Sequence, residues 1–150
     1  MEESLSSIII NSYSQKLIKN QEIAVQKICS FITDKKNDSI FILRGYAGTG
    51  KTFIISSIVK NLWKIKKSVI LLAPTGRSAK VLSGYCDMEA YTIHKEIFYT
   101  KSNFSGNLDF SLKVNKHKNT LFIVDEASMI GTNRSEGVGL FSQSLLDNIV

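Results

Sequence analysis

The stretch GYAGTGKT has the residue types and the spacing of a Walker A phosphate loop, Gly45-x-x-x-x-Gly50-Lys51-Thr52. Glycines at these positions let main-chain N–H groups turn inward around phosphate oxygens. The Lys51 ammonium would neutralise the β- and γ-phosphates, and the Thr52 hydroxyl would bind Mg²⁺. The spacing therefore predicts a site for a nucleoside triphosphate.

Two adjacent acids, Asp125 and Glu126, follow the apolar run of TLFIVDEA. At the end of a buried strand, Asp125 would hold Mg²⁺ through a water, and Glu126 would orient or deprotonate the water that attacks the terminal phosphate. Alone, an Asp-Glu pair after an apolar run is often just a solvated strand end. Combined with the glycine loop, the pair indicates hydrolysis of a nucleoside triphosphate.

The glycine loop lies between a predicted strand and a predicted helix. SIFILRG, residues 39–45, is typical of a buried strand, and after Lys51 apolar pairs recur every four residues. Upstream, Asn20 is predicted to cap a helix through QEIAVQKICSFI. Strand, loop and helix thus come in the order that a phosphate loop requires.

The rest of the chain predicts more elements of the same kind. SVILLAP and TLFIVDEA read as buried strands, TGRSAKVLSG as a short helix ended by Gly84, and AYTIHKEIF as a strand or turn leading into a helix. The alternation in NLDFSLKV, with FSGN as a turn, predicts an inserted edge hairpin. Continuous apolar strands alternating with helices predict an α/β fold, with a mostly parallel sheet and helices on both faces.

The length and composition of the chain indicate how many domains these elements form. A chain of 150 residues, 43% hydrophobic and 21% charged, predicts a single domain over residues 1–150 with a sizeable core. The tail LFSQSLLDNIV looks helical but has no stop signal, so we expect the chain to be truncated at its C-terminus. Cys29 and Cys86 are too isolated to suggest a metal site or a disulfide framework.

Charge is uneven along the chain. Residues 41–120 carry thirteen Lys or Arg against four acids, so they hold the excess positive charge of the protein. A basic middle suits nucleotides or a nucleic-acid backbone, although solubility explains it equally well. The N-terminal stretch is too polar for a signal peptide, and no run is long enough to cross a membrane, which predicts a cytoplasmic protein with no membrane partner.

Four segments in order resemble motifs I, Ia, Ib and II of superfamily 1 DNA helicases of the RecD-like and Dda-like branch, namely GYAGTGKT, LLAPTGRSAKVL, YTIHK and IVDEASMI. The resemblance runs from about Leu17 to the last residue. It implies a RecA-like P-loop NTPase fold of the AAA type. It further implies ATP as the nucleotide, Mg²⁺ as the cation and single-stranded DNA as a partner.

The resemblance also implies roles for particular residues. Gln21 stands three residues before Ala24, as in the Q motif of the family, and is implied to read the adenine edge through its amide; the alternative is a solvated glutamine in the first helical turn. Lys51, Asp125 and Glu126 are implied to be catalytic, with Thr52 and Asp125 on the metal. The residues implied to bind nucleotide are Gln21, Gly45, Ala47, Gly48, Thr49, Gly50, Lys51 and Thr52.

Single-stranded DNA is implied to contact motifs Ia and Ib, through Pro74, Thr75, Arg77 and Thr92. The alternative for Thr75 is that the Pro-Thr-Gly sequence merely caps a helix. The two aromatic side chains of Tyr46 and Phe104 could stack on bases, but packing in the core or in loops is the favoured interpretation.

The function expected from these residues is that of a helicase motor domain, which couples ATP hydrolysis to translocation on single-stranded DNA in the full-length protein. Nothing after IVDEASMI matches the later motifs, so a second RecA-like domain is expected in cis from a longer protein. We expect the 150-residue chain alone to bind DNA weakly and to hydrolyse little ATP. The alternatives are a stand-alone module for ATP and Mg²⁺ and a P-loop ATPase outside the helicases.

Overall fold

The computed structural model describes residues 4–34, 39–102 and 108–130. The chain divides into two compact units, which are described in turn. The first comprises Met1–Val69 with Tyr85–Asp87, and the second comprises Ile70–Gly84 with Met88–Val150.

The first unit is built from three helices, α1 (Leu5–Asn11), α2 (Lys19–Thr33) and α3 (Lys51–Asn61), and α3 continues into a 3-10 turn at Leu62–Ile65. Each helix packs against the other two. The side chains of Ile9, Val25 and Ile58, one from each helix, are completely buried. Burial of such side chains from water is the main stabilising term for short helices of this kind.

The predicted helices of this unit are confirmed, with two corrections. Helix α2 begins at Lys19 and its N-cap residue is Ile18, so the predicted cap at Asn20 is wrong. The Gln21 side chain takes over part of the capping role, because its Oε1 accepts the N–H of Ile18 at 3.2 Å. Helix α1 was not predicted, since two turns of helix form only when a packed neighbour supports them.

Cys29 lies in the buried face of α2, where only 4% of its surface is exposed. Both Cys29 and Cys86 are free cysteines. Burial raises the pKa of the Cys29 thiol to about 11, because the thiolate would lose its hydration there. The thiol of Cys29 therefore stays protonated at neutral pH and packs as a small apolar side chain.

The strand predicted at residues 39–45 is wrong. No residue of this segment is in a strand, and Ile40 and Ile42 expose 62% and 76% of their surface. Apolar runs indicate burial, but a strand also needs a hydrogen-bonded neighbour, and none of the described strands pairs with this segment. The side chain of Phe41, which stands between these two isoleucines, lies near α2, where the centre of its ring is 5.5 Å from that of Phe31.

The second unit contains a three-stranded parallel sheet in the order β2-β1-β5. The strands are β1 (Ser68–Ala73), β2 (Ala90–Thr92) and β5 (Thr120–Val124). Leu71, Leu72 and Ala73 of β1 are almost fully buried, as the central strand of a parallel sheet requires. The predicted α/β fold with a parallel sheet is confirmed.

Two helices connect these strands, α4 (Gly76–Cys86) after β1 and α5 (Ile93–Ile97) after β2. Helix α4 runs through Gly84 and ends two residues later, so the predicted end at Gly84 is wrong. Leu82 and Cys86 are buried on this helix, and their burial at helical spacing favours continuation beyond the glycine.

The predicted hairpin is present as β3 (Phe98–Ser102) paired antiparallel with β4 (Leu108–Leu112), but it forms a separate two-stranded sheet, so its predicted place at a sheet edge is wrong. Phe98 faces Leu112 and Thr100 faces Phe110 across the ladder. The predicted FSGN turn and the predicted C-terminal helix lie outside the described residues. In the parts of the chain described above, no helix has both the length and the apolar character needed to cross a membrane.

Candidate functional site

The glycines of the loop at residues 45–52, called here the phosphate loop, occupy positions where a side chain would be strained or would meet a neighbouring atom too closely. Gly48 and Gly50 have φ angles of +76° and +85°, in the left-handed region that other residues adopt only with strain. A Cβ on Gly45 would lie 2.9 Å from the Thr49 hydroxyl oxygen. Glycine at these three positions therefore allows the tight backbone turn of the loop.

Lys51 folds back into the phosphate loop. Its Nζ donates to the carbonyl oxygens of Gly45 at 2.8 Å and of Tyr46 at 2.9 Å. The Tyr46 carbonyl also accepts from the Thr49 hydroxyl at 2.8 Å. The positive charge predicted to neutralise phosphates is therefore held within the loop itself.

Gln21 lies beside the phosphate loop, as its predicted role in nucleotide binding requires. Its Nε2 donates to the carbonyl of Thr49 at 3.2 Å. A Cβ on Gly50 would lie 3.0 Å from the same nitrogen, so the amide approaches the loop backbone closely. Gln21 stands in the first turn of α2, as the alternative interpretation expected, and its side chain also bonds to the phosphate loop.

Helix α3 begins at Lys51, directly after the phosphate loop, and its N-cap residue, Gly50, has no side chain with which to cap it. The first N–H groups of a helix have no partners within the helix, and the helix dipole makes this end positive. With the Lys51 ammonium added, the donors are those that a triphosphate requires. The residues present therefore fit the anionic ligand, and Thr52 stands in the first turn of α3, where a hydroxyl ligand to Mg²⁺ is expected.

The acid pair belongs to the second unit and follows β5 immediately. The N–H of Asp125 donates to the Leu72 carbonyl of β1 at 3.0 Å, which anchors the start of the pair to the sheet. The Asp125 carboxylate accepts the N–H of Glu126 at 2.9 Å. Glu126 is exposed and has a φ of +53°, an unusual conformation for a glutamate.

Parallel strands bring the predicted nucleic-acid residues and the acid pair to one edge of the sheet. Pro74 follows β1, Thr92 ends β2 in register with Ala73, and Asp125 follows β5. The carboxyl edge of a parallel sheet is where α/β proteins place their ligands. Sequence position alone did not show that these three residues share an edge.

The two threonines predicted to contact DNA both cap helices. Thr75 Oγ1 accepts the N–H of Ser78 at 3.1 Å at the start of α4, and Thr92 Oγ1 accepts the N–H of Lys95 at 3.2 Å at the start of α5. The capping alternative considered for Thr75 is therefore realised. Arg77, in the first turn of α4, is exposed.

A cavity of about 330 Å³ lies beside these caps, within the second unit. Its lining includes the capping residue Thr92 together with Lys80, Ser83, Tyr91 and Lys95. The Lys95 ammonium lies 5.0 Å from the centre of the Tyr91 ring. Tyr91 and Lys95 are the first and last residues of the YTIHK motif, and the sequence did not predict their contact with each other.

The prediction that Tyr46 packs in the core or against a loop is wrong, because 89% of its surface is exposed. The tip of the phosphate loop projects it into solvent. Phe104 lies outside the described residues.

The model of a protein family described as "AAA domain" matches residues 16–139. The chain belongs to this AAA-domain family. Membership agrees with the glycine loop and with the superfamily 1 motor domain that the four motifs resemble. Family members are P-loop ATPase domains, and membership implies nucleotide binding.

Three relatives are similar in sequence to part of this AAA-domain chain. An uncharacterized protein of Acanthamoeba polyphaga mimivirus is 30% identical, over 73% of this chain and 26% of its own length. An uncharacterized protein of Methanocaldococcus jannaschii is 34% identical, over 59% of this chain and 8% of its own length. The ATP-dependent DNA helicase dda of Enterobacteria phage T4 is 32% identical, over 75% of this chain and 26% of its own length.

The chain therefore spans about a quarter or less of the length of these relatives. No solved structure matches it.

Proposed function

We propose that this chain is the ATP-binding RecA-like motor domain of an ATP-dependent DNA helicase of the RecD-like and Dda-like branch. The observation that carries the proposal is the phosphate loop, with its left-handed glycines, the inward Lys51 ammonium and the uncapped start of α3. The order of the four motifs and the similarity to the phage T4 helicase support the choice of branch.

The proposed reaction is hydrolysis of ATP. The loop N–H groups and Lys51 bind the β- and γ-phosphates, while Thr52 and Asp125 would hold Mg²⁺, which supplies further positive charge. Glu126 accepts a proton as the water oxygen bonds to the γ-phosphorus. The bond from that phosphorus to the bridging oxygen breaks, and ADP and inorganic phosphate result.

Hydrolysis becomes movement when two RecA-like domains close on ATP around a bound strand. In our proposal the second domain is supplied by a longer protein that contains this chain. We expect ATP hydrolysis by that longer protein to rise at least tenfold when single-stranded DNA is added, as measured by phosphate release. Hydrolysis that is indifferent to DNA would instead favour a P-loop ATPase outside the helicases.

The carboxyl edge of the sheet in the second unit is the proposed DNA contact. Pro74, Thr75, Arg77 and Thr92 lie at this edge or in the first turn of α4, next to the cavity lined by Lys80. As caps, Thr75 and Thr92 accept N–H groups, so the hydroxyl hydrogen of a capping threonine can still be donated to a phosphate. The positive charges of Arg77 and Lys80 are proposed to add the charge-dependent part of the affinity for the DNA backbone.

Binding of single-stranded DNA to this chain is expected to be weak and to fall steeply as salt is raised, because cations are released from each neutralised phosphate. The double variant Arg77→Ala, Lys80→Ala should reduce the slope of log K against log salt by about 0.7 for each lost contact. Fluorescence anisotropy of a labelled oligonucleotide measures the slope. Lys60→Ala, an exposed lysine of α3, is the matched control, and a flat salt response of the unaltered chain would remove the proposed contact.

A further inference from the structure

The Gln21 side chain bridges two parts of the first unit. Its Oε1 accepts the N–H of Ile18 at the start of α2, and its Nε2 donates to the Thr49 carbonyl in the phosphate loop, both at 3.2 Å. The hydrogen bonds of the Lys51 ammonium and of the Thr49 hydroxyl described above link groups within the phosphate loop. The bond from Gln21, in contrast, links the loop to α2. The amide thus connects the shape of the loop to the position of α2.

The Gln21 amide can form further hydrogen bonds in addition to these two. A carboxamide has two N–H donors and two acceptor lone pairs on its oxygen, and each bond here uses one of them. One donor and one acceptor remain for a base. Holding the loop and contacting a base are therefore compatible, and the first does not depend on the second.

We propose that Gln21 is a positioning residue for the triphosphate chain of the nucleotide, acting through the Thr49 carbonyl, whether or not a base is present. The proposal rests on the proposed function, since it takes the phosphate loop to bind a nucleotide. Without the amide, the turn around Thr49 loses its tie to α2, and the loop N–H groups must be ordered when phosphates bind. That ordering lowers affinity even for a ligand that has no base.

Inorganic tripolyphosphate is the probe that separates positioning from base recognition. Calorimetry should show that Gln21→Ala lowers tripolyphosphate affinity about fivefold, the loss expected for one neutral hydrogen bond, and lowers ATP affinity at least as much. Gln26→Ala, an exposed glutamine of the same helix, should change neither. Weakened ATP binding with unchanged tripolyphosphate binding would overturn the proposal and leave Gln21 as a base reader only.

Hydrogen exchange of the ligand-free chain gives a second measurement that does not depend on binding. Gln21→Glu keeps the acceptor for the Ile18 N–H but has no donor for the Thr49 carbonyl. It should speed exchange in the phosphate loop severalfold and leave the start of α2 as slow as in the Gln26→Ala control. Unchanged loop exchange in both Gln21 variants would refute the positioning role. If the unaltered chain binds neither ATP nor tripolyphosphate, the proposed function itself fails, which is a distinguishable result.

Discussion

Replacing Lys51 by methionine is expected to lower the affinity of the chain for ATP on the order of 100-fold. The methionine keeps an apolar stem of similar length and removes the ammonium that would bind the β- and γ-phosphates. Charge-assisted hydrogen bonds of this kind contribute about 1.5 to 3 kcal/mol, and each 1.4 kcal/mol corresponds to a factor of ten. Isothermal titration calorimetry with ATP and Mg²⁺ measures the loss.

The effect has to be separated from damage to the loop, because the Lys51 ammonium also binds the carbonyls of Gly45 and Tyr46. An unchanged melting temperature would show that the fold survives the substitution. Lys60→Met removes an exposed lysine from the last turn of the same helix and should leave ATP affinity as it was. If Lys51→Met binds ATP as tightly as the unaltered chain, the phosphate loop is not the nucleotide site.

Replacing Glu126 by glutamine should lower kcat for ATP hydrolysis on the order of a thousandfold in a protein that joins this chain to the proposed second RecA-like domain, with ATP affinity kept. The amide has the shape of the carboxylate but cannot take a proton from water, and general-base catalysis contributes roughly a hundredfold to ten-thousandfold. Steady-state phosphate release gives kcat, and titration with a fluorescent ATP analogue gives affinity.

Asp34→Asn is a suitable control for the loss of one carboxylate, because Asp34 is exposed at the end of α2. It should hydrolyse ATP at the unaltered rate. Hydrolysis by Glu126→Gln at a normal rate would assign the base to another residue. Loss of ATP binding in this variant would mean that Glu126 holds the nucleotide or the metal, contrary to its proposed role.

Local sequence patterns predicted the parts of this protein that depend on neighbouring residues in the chain. Helix α3, the glycine loop before it and strand β1 follow from apolar spacing and from the conformational needs of glycine. The Gly48 and Gly50 positions are recognisable because a left-handed turn tolerates few other residues. A site that is formed by one short segment can therefore be predicted from the sequence of that segment.

What sequence reasoning missed depends on contacts between distant segments. The apolar run around Ile40 and Ile42 predicts a buried strand, yet both side chains are exposed, because hydrophobicity does not show whether a pairing neighbour exists. The motif around Thr92 predicts a DNA contact but not the bond that its hydroxyl accepts from the Lys95 N–H at the start of α5. The bond from Gln21 to Thr49 joins residues 28 positions apart, and no local pattern specifies it.

The left-handed backbone of Glu126 lowers the stability of this turn. For a residue with a side chain, that conformation costs about 1 to 2 kcal/mol relative to the right-handed one, whereas glycine adopts it freely. Glycine at this position would therefore stabilise the turn, but it would remove the carboxylate that the proposed reaction needs. Position 126 is thus one where a gain in thermal stability is expected to cost activity.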